Sequence, residues 1–531
     1  MKGPPVSSDF DYEEMSEDEL WARLPFATGL EKYFVMRQLI HFMFQKNEYR
    51  RALTIAQEAA DYANTSGFMR EHAHMMGLCG YINYTLDNYE DSIADYKVAS
   101  EIMRSLGVDS ELADTEGSLG ESYRETHDYV NAFDHYHVAH RLYASIDDFL
   151  GAARSALDCF NTQLRLGDLS EARNWAEIQM EFAKKSNDSH AIYHAYRSHA
   201  RLGLFLEDGE LTLKNATMAM RIGETCSCKY CIPASHFLLG QAYTLMNDPK
   251  TAIAHLEIAH EKYHEMNNMR MQAYCEFEFG RAAKQMHNPR KAESHFNKAL
   301  QFCEIIDDPL FTFKTNSMFG DMHREHANYE ESLEHFSVAY ELAKDNPYLT
   351  SVKHLMLAGY FESLEMTMQS QTILNILKDI EQETQPWMLP TYIRMTYSAR
   401  AHMLLGNKEQ ALHDADEVLS YDCEVDDLYI ASLHQTRAEA YRNIDPRLAL
   451  SEAHKAISYF LHSGDIERAG YLADKWVIEP DKQTRAQVIA EQSRNKYDEI
   501  YHDEDPIVQQ LKDERTLLSN PDTTAHNEDT A

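Results

Sequence analysis

The residues best suited to hold a metal ion lie in one short segment, the Cys-Ser-Cys-Lys-Tyr-Cys stretch of residues 226–231, followed by His236. Cys226, Cys228 and Cys231 supply three thiols and His236 an imidazole, a set that Zn²⁺ binds tetrahedrally. The spacing is not a common zinc pattern, and ligands two residues apart strain helical geometry. A redox pair and ordinary cysteines are the alternatives, and we assign no metal or cofactor from the sequence.

Other residues that could bind a metal or catalyse a reaction do not form an established motif. The chain has 27 histidines, including the clusters His135, His137, His140 and His323, His326, but neither cluster has a carboxylate at an established metal spacing. A glycine-rich phosphate loop, a G-x-S-x-G elbow and an H-E-x-x-H motif are all missing from the sequence. We therefore expect a protein that is not an enzyme.

Composition predicts long helices. Gly 20 plus Pro 14 make 34 of 531 residues, about 6% where average usage is roughly 12%. The hydrophobic content of 44% is enough for a large core.

Charge and hydropathy argue against several classes of partner and location. The 86 acidic against 50 basic residues, a formal net charge of −36, argue against nucleic-acid or anionic-membrane partners. No stretch approaches ~18 apolar residues, and the acidic start MKGPPVSSDFDYEEMSEDEL lacks the basic and apolar regions of a signal peptide. The 8 cysteines form no repeating framework, as is typical of reduced thiols. These features predict a soluble cytoplasmic protein.

A small residue recurs every 40 residues and marks an internal repeat. These anchors are Ala52, Ser92, Ala132, Ala172, Thr212, Ala252, Ala292, Ser332 and Thr372. Further packing positions follow each anchor after four residues and then three more, and this spacing places them on one helical stripe.

A second small residue precedes most anchors by twelve positions and would let two helices approach closely. It is Gly80, Gly120, Ala200, Gly240, Gly280 or Gly320. A short polar turn such as Asp87-Asn88-Tyr89 or His287-Asn288-Pro289 separates the two halves. The repeat is thus helix, turn, helix, and with two later copies spaced by 39 and 38 residues, eleven units span residues 30–465.

These residues resemble the tetratricopeptide repeat. The match is carried in one unit by Leu119-Gly120, Tyr123, Tyr129, Ala132, Tyr136 and Ala139. The family's common unit has ~34 residues, so the units here are longer, like those of spindle-orientation adaptors and bacterial peptide-sensing regulators. Phe160 and Tyr360 depart from the pattern where glycine is expected. The resemblance implies an all-α fold, a right-handed α-solenoid superhelix of helix-turn-helix units with a concave groove.

Four segments follow from this assignment. Residues 1–29 form an acidic, mostly disordered segment, 30–465 the repeat array, 466–501 C-terminal capping helices that include Arg468 and Trp476, and 502–531 a disordered polar tail. The acidic N-terminal segment is either solvated or folded back into the groove as a self-inhibitor.

In the family, the first helix of each unit lines the groove at recurring offsets. Transferred to units four to seven, these offsets select Arg154, Asn161, Arg165, His194, Arg197, Arg201, Gln241, Tyr274, Arg281 and Lys284. The twenty positions hold six Lys or Arg and no Asp or Glu. Arginine forks match carboxylates, so we expect an acidic partner. Pairing of these arginines with acids on neighbouring helices, or an incorrect register, would remove that expectation.

The sequence therefore predicts a cytosolic protein-interaction scaffold that captures an acidic protein or peptide segment in this groove. One alternative is a peptide-responsive regulator resembling bacterial pheromone receptors, although those usually carry an N-terminal effector domain and about 30 residues precede the first unit here. The other is a self-associating structural subunit, which would form a homo-oligomer.

Overall fold

The structure, a computed structural model, describes residues 15–226, 228–344, 354–382, 390–420 and 425–476. The regular secondary structure of these residues is helical throughout. The chain divides into two compact regions, an N-terminal region of residues 1–315 and a C-terminal region of residues 316–531.

Helices of the N-terminal region follow one another with short turns. They are α1 (Glu17–Arg23), α2 (Gly29–Gln45), α3 (Tyr49–Thr65), α4 (Met69–Thr85), α5 (Tyr89–Leu106), α6 (Asp109–Glu125), α7 (Tyr129–Ser145), α8 (Phe149–Leu166), α9 (Leu169–Ser186), α10 (Ser189–Phe205), α11 (Gly209–Thr225), α12 (Cys231–Leu245), α13 (Pro249–Glu265), α14 (Met269–Gln285) and α15 (Pro289–Ile306). Helix α16 (Pro309–Glu325) begins in this region and ends in the next.

The C-terminal region continues the same alternation. Its helices are α17 (Tyr329–Lys344), α18 (His354–Met366), α19 (Ser370–Gln382), α20 (Thr391–Leu404), α21 (Lys408–Leu419), α22 (Asp427–Tyr441), α23 (Pro446–His462) and α24 (Ile466–Trp476). In the described part of the chain, α2 to α23 make up the eleven helix pairs that the sequence predicts. Neighbouring helices pack consecutively within each region, so the predicted α-solenoid of tetratricopeptide-like pairs is confirmed.

The turns explain the regular helix lengths. From α3 to α11 a new helix begins every 20 residues. Asp87, His127 and Asn247, which open predicted turns, adopt positive φ angles of 60°, 61° and 56°, the left-handed conformation that ends a helix. A side chain then caps the next helix, as when Asp128 accepts a hydrogen bond from the Asn131 amide at 3.2 Å.

Close approach of paired helices depends on the predicted glycines. A Cβ added to Gly120 would lie 2.8 Å from Tyr136, and one added to Gly280 would lie 2.5 Å from Phe296. In the fourth repeat the sizes are exchanged, because the fully buried Phe160 replaces the glycine and packs in one cluster with the small Ala176. The departure at Phe160 therefore preserves the helix pair.

Both ends of the array carry an additional helix. Helix α1 lies within the segment for which the sequence predicts mostly disorder, yet its Leu20 is fully buried in a cluster with Val35 and Leu39. At the other end, Leu472 and Ala473 of α24 pack on Phe460. Residues 1–14 and 477–531 lie outside the described residues, and the remainder of the predicted cap and the tail with them.

Hydropathy of the described helices agrees with the sequence. None of them combines the length and the apolar character needed to cross a lipid bilayer.

Candidate functional site

The ten predicted groove residues lie on the first helices of repeats four to seven, all within the N-terminal region. Helices α8 and α10 carry six of them, α12 one and α14 three; Arg154 and Arg165 are exposed and the others are half-buried. Lys314 on α16 occupies the same repeat position as Arg154, and burial lowers its pKa together with the charges of Arg165 and Arg201. These first helices therefore present their basic residues to a common surface, which we call the groove.

Residues that share a repeat position are neighbours in this surface. Arg201 lies 40 residues after Asn161, and its Nη1 donates a hydrogen bond to Asn161 Oδ1 at 2.5 Å. The Arg201 guanidinium also lies 5.7 Å from the Phe160 ring centroid. Both partners are neutral, so the charge of Arg201 has no carboxylate to balance it within the described residues.

In this part of the groove, burial and neighbouring positive charges both act on the Arg201 guanidinium. Burial lowers the pKa of Arg201 to about 9, and the like charges of Arg197 and Arg165 contribute to the shift. Arg154 and Arg197 form no hydrogen bond or ion pair in the described part of the chain. An anion placed between these side chains would offset both the desolvation and the mutual repulsion.

A recess opens beside this cluster, between α8, α9 and α10. Its volume is about 260 Å³, and its lining includes Arg154, Leu157, His190 and His194. Two buried polar atoms at the lining, Gln179 Oε1 and His194 Nδ1, lack a hydrogen-bond partner among the described residues. Small-molecule sites usually occupy ~300–1,000 Å³, so the recess is better sized for one inserted side chain.

The recess lining also includes two acids that the transferred offsets do not select, Asp158 and Asp188. Burial raises the pKa of the Asp158 carboxyl to about 7, with a further contribution from Glu121. Burial likewise lowers the pKa of His194 to about 4, and Arg197 adds to that shift. At neutral pH, His194 is uncharged and Asp158 titrates, and Arg154 is the basic residue of a lining that also contains Asp188.

Farther along the groove the expected positive charge is neutralised. Arg281 donates to the buried Glu278 at 3.0 Å, and Gln241 donates to the same carboxylate at 2.8 Å. The Tyr274 hydroxyl donates to Asp308 at 3.3 Å. Glu278 and Asp308 reach these residues from positions outside the transferred offsets, so in repeats six and seven the contacts agree with the alternative of pairing with acids.

Several arginines in other repeats are paired with acids. Arg124 contacts Glu125 at 2.7 Å, Arg324 contacts Glu362 at 2.9 Å, and Arg400 pairs with Glu365. A wider recess of about 480 Å³ on α2, α4 and α6 also mixes signs, since Arg37 and Glu111 both line it. Arg154, Arg197 and Arg201 on α8 and α10 have no carboxylate partner among the described residues, and neither do Arg37 on α2 and Lys314 on α16.

Many histidines have a structural role that the sequence did not reveal. In four repeats a histidine of the second helix directs Nδ1 to the residue 19 positions earlier on the first helix. These pairs are His135 with Glu116 at 2.7 Å, His255 with His236 at 2.9 Å, His295 with Glu276 at 2.7 Å and His335 with Asn316 at 2.9 Å. The constant separation of 19 residues is the signal that could have found them.

This contact removes His236 from the predicted cysteine cluster. The structure instead brings His190 of α10 to Cys228 and Cys231, with the imidazole nitrogen and the two sulfurs within 4.8 Å of one another. Cys226 packs against the same cluster. The 40-residue repeat predicts that His190 lies near Cys231. His190 shares its repeat position with Tyr230, the neighbour of Cys231, and residues one repeat apart are neighbours.

Comparisons with known proteins found similarity among solved structures only. No family model and no curated protein matches the chain. Solved structures that resemble it include the apo form of RapI, with 11% identity, 51% of this chain and 97% of that chain covered and a TM-score of 0.46. The Rap conjugation gene regulator of plasmid pLS20, solved with the Phr* peptide, shares 12% identity and covers 58% of this chain and 93% of its own, with a TM-score of 0.42. A Rap protein complexed with Competence and Sporulation Factor shares 13% identity over 80% of this chain and 100% of its own, with a TM-score of 0.38.

Proposed function

We propose that this chain is a non-enzymatic cytosolic interaction protein, a long-repeat relative of the tetratricopeptide scaffolds, whose groove on α8 and α10 captures an acidic segment of a partner protein. One observation carries the proposal: Arg201 is half-buried, is flanked by Arg197 and Arg165, and is hydrogen-bonded only to a neutral amide in the described structure. A carboxylate is the missing counter-charge, and arginine binds it bidentately.

The paired arginines elsewhere strengthen this assignment. If basic residues served only to keep the first helices solvated, each would be expected to find an acid nearby, as Arg281 does on its own helix and Arg400 does on a neighbouring one. Arg154 and Arg197 have no such pair among the described residues. In a chain with a net charge of −36, three cations held without carboxylate partners indicate that a partner supplies the anion.

The recess gives the partner a point of entry for one side chain. It adjoins Arg154, and the unpartnered Gln179 Oε1 and His194 Nδ1 offer one acceptor and one further polar atom to an inserted group. Buried polar atoms without partners cost free energy, so a partner that satisfies them gains affinity. A segment combining acidic residues with one polar side chain fits this surface.

A neutralising double variant tests the proposal. Gln is the natural residue at the repeat position of Arg201 one unit later, Gln241, so Arg201→Gln is compatible with the fold and keeps a donor for Asn161. We would combine it with Arg197→Gln, purify tagged protein from the native host and identify the partners lost. The matched control is Arg141→Gln with Arg173→Gln, which changes the net charge equally at exposed positions on the second helices α7 and α9.

The expected result is loss of a partner with an acidic segment from the groove variant and its retention by the control. A synthetic peptide of that segment should displace the partner from wild-type protein. Equal recovery of every partner by the two variants would overturn the proposal and favour self-association, which sedimentation at increasing protein concentration would then measure. Displacement by a short free peptide from the host, with no protein partner, would favour the peptide-responsive regulator.

A further inference from the structure

Three metal-ligating side chains converge where α11 ends and α12 begins, and a fourth, Cys226, lies beside them. The imidazole nitrogen of His190 and the sulfurs of Cys228 and Cys231 all lie within 4.8 Å of one another. In a tetrahedral zinc site with Zn–S bonds of ~2.3 Å, neighbouring sulfurs are ~3.8 Å apart. Small side-chain rotations would therefore close the cluster around an ion.

Cys226 completes a set of four. It is the C-cap residue of α11 in an extended conformation, and its side chain packs against the cluster that contains Cys231. Three thiolates and one imidazole form one of the ligand sets of closed structural zinc sites.

The backbone holds the two central cysteines in place. The Cys231 amide donates to the Cys228 carbonyl at 3.2 Å across the Lys229-Tyr230 turn, which directs both sulfurs to one side. The buried Tyr193 donates its hydroxyl to the Cys231 carbonyl at 3.1 Å. Cys231 is also the first residue of α12.

This junction departs from the others in the array. Helix α12 begins at Cys231, two residues after the position that the 20-residue spacing predicts. Asp148, Asp188 and Asn268 cap the corresponding helices α8, α10 and α14 through their side chains, whereas Tyr230 makes no such bond for α12. The cysteine cluster thus stands where α8, α10 and α14 have a capping side chain, whereas α2, α4 and α6 begin without one.

We propose that His190, Cys226, Cys228 and Cys231 bind one Zn²⁺ ion in a structural site that joins α10, α11 and α12. Thiolate and imidazole ligands favour zinc over the hard cations Mg²⁺ and Ca²⁺. The ion stabilises the junction between repeats five and six, next to α10, the helix that carries Arg197 and Arg201. This inference does not depend on the proposed partner, and its readouts are independent of partner binding.

Metal content of the purified full-length chain tests the site. Protein prepared in reducing buffer with added ZnSO₄ and then desalted should contain about one equivalent of zinc by mass spectrometry. Replacement of zinc by Co²⁺ should give thiolate-to-cobalt charge-transfer absorption and the strong d–d bands of tetrahedral coordination. Cys226→Ser should lower the charge-transfer intensity by about one third, since one of three thiolates is lost.

Two pairs of variants separate the ligands from their neighbours. Cys228→Ser and His190→Ala should lose the zinc or release it to a chromogenic chelator at least tenfold faster than wild type. His236→Glu and Cys303→Ser should retain it, because His236 pairs with His255 and Cys303 is buried elsewhere. The cobalt spectrum of wild-type protein tests the proposed zinc site even if a ligand variant fails to fold.

Several results would overturn the site. They are zinc-free wild-type protein after reconstitution, an octahedral cobalt spectrum, or retention of zinc by Cys228→Ser. A disulfide between Cys226 and Cys231 in freshly purified protein, seen as a mass loss under non-reducing conditions, would equally contradict it.

Discussion

Arg201 donates a hydrogen bond at 2.5 Å to Asn161, the residue that lies one repeat of 40 residues earlier. The contact shows that equivalent positions of adjacent repeats touch along the first helices. It also leaves the Arg201 guanidinium with a neutral partner, while the equivalent Arg281 has the carboxylate of Glu278 at 3.0 Å. The same repeat position thus carries a neutralised cation in one repeat and an uncompensated one in another.

This difference predicts opposite responses to one substitution. Arg201→Gln removes a desolvated charge and keeps a donor for Asn161, so we expect the free energy of unfolding to change by less than ~1 kcal/mol or to rise. Arg400→Gln leaves Glu365 half-buried without its partner and should cost about 2–3 kcal/mol. Chemical denaturation of both variants measures the difference. A larger loss in Arg201→Gln than in Arg400→Gln would contradict the assignment of Arg201 as unpaired.

Two glycines of α6 predict a matched pair of packing effects. A Cβ at Gly120 would lie 2.8 Å from the Tyr136 ring, whereas one at Gly117 meets nothing within 4 Å. Gly120→Ala should destabilise the chain by about 1–3 kcal/mol through overpacking. Gly117→Ala should stabilise it by up to ~1 kcal/mol, since alanine favours helix. Thermal unfolding of the two variants tests this, and equal shifts would mean that the glycine is not needed for close approach.

The contact between His236 and His255 predicts acid sensitivity. Their Nδ1 atoms are 2.9 Å apart, so one must donate and the other accept, and the pair cannot exist with both rings protonated. Burial and the nearby His255 lower the pKa of His236 to about 4. Because the unfolded chain takes up this proton near pH 6.5 and the folded chain only near pH 4, stability is lost as pH falls through that range.

A substitution isolates this contribution. His236→Glu recreates the pairing of His135 with Glu116, which tolerates protonation of the histidine. The drop in unfolding temperature between pH 7.5 and pH 5 should be smaller for this variant than for wild type. An identical drop in both proteins would assign the acid sensitivity to other buried groups, such as His335, whose pKa is also lowered to about 4 by burial and by His323.

Ionic strength provides a further test of the groove. A partner segment held through Arg197 and Arg201 should bind less tightly as NaCl rises from 50 to 300 mM. Salt screens the attraction between these guanidinium groups and the acidic side chains of the segment. The Arg197→Gln, Arg201→Gln variant should show both weaker binding and a shallower dependence on salt. Isothermal titration with the segment captured from the host measures both. An unchanged salt slope in the variant would place the ionic contacts elsewhere.

Periodicity predicted the architecture well. The 40-residue spacing of anchors such as Ala132 and Ala252 identified eleven helix pairs, since burial of small residues repeats with the helices that they join. The exchange of sizes between Phe160 and Ala176 also follows from steric packing. Periodicity could likewise have placed His190 beside Tyr230, because residues one repeat apart are neighbours.

The charge balance of the groove was harder to predict. Glu278 lies two residues before Gly280, a position that the transferred offsets treat as core, and its burial depends on donors from Arg281 and Gln241 on two helices. Whether a long acidic side chain turns toward such donors is a matter of three-dimensional packing. The sequence therefore predicted basic residues for the groove but could not show which of them have a carboxylate partner.

Site-specific photocrosslinking tests the central claim most directly. A benzoylphenylalanine placed at Leu157, which lines the recess on α8, should crosslink in the native host to an acidic segment of one partner. The same group at Val130, which is 62% exposed on α7, should not capture that segment. Crosslinks to the acidic segment from Leu157 that vanish with Arg197→Gln and Arg201→Gln are the predicted result. Capture of the partner from Val130 but not from Leu157 would show that the groove is not the binding site.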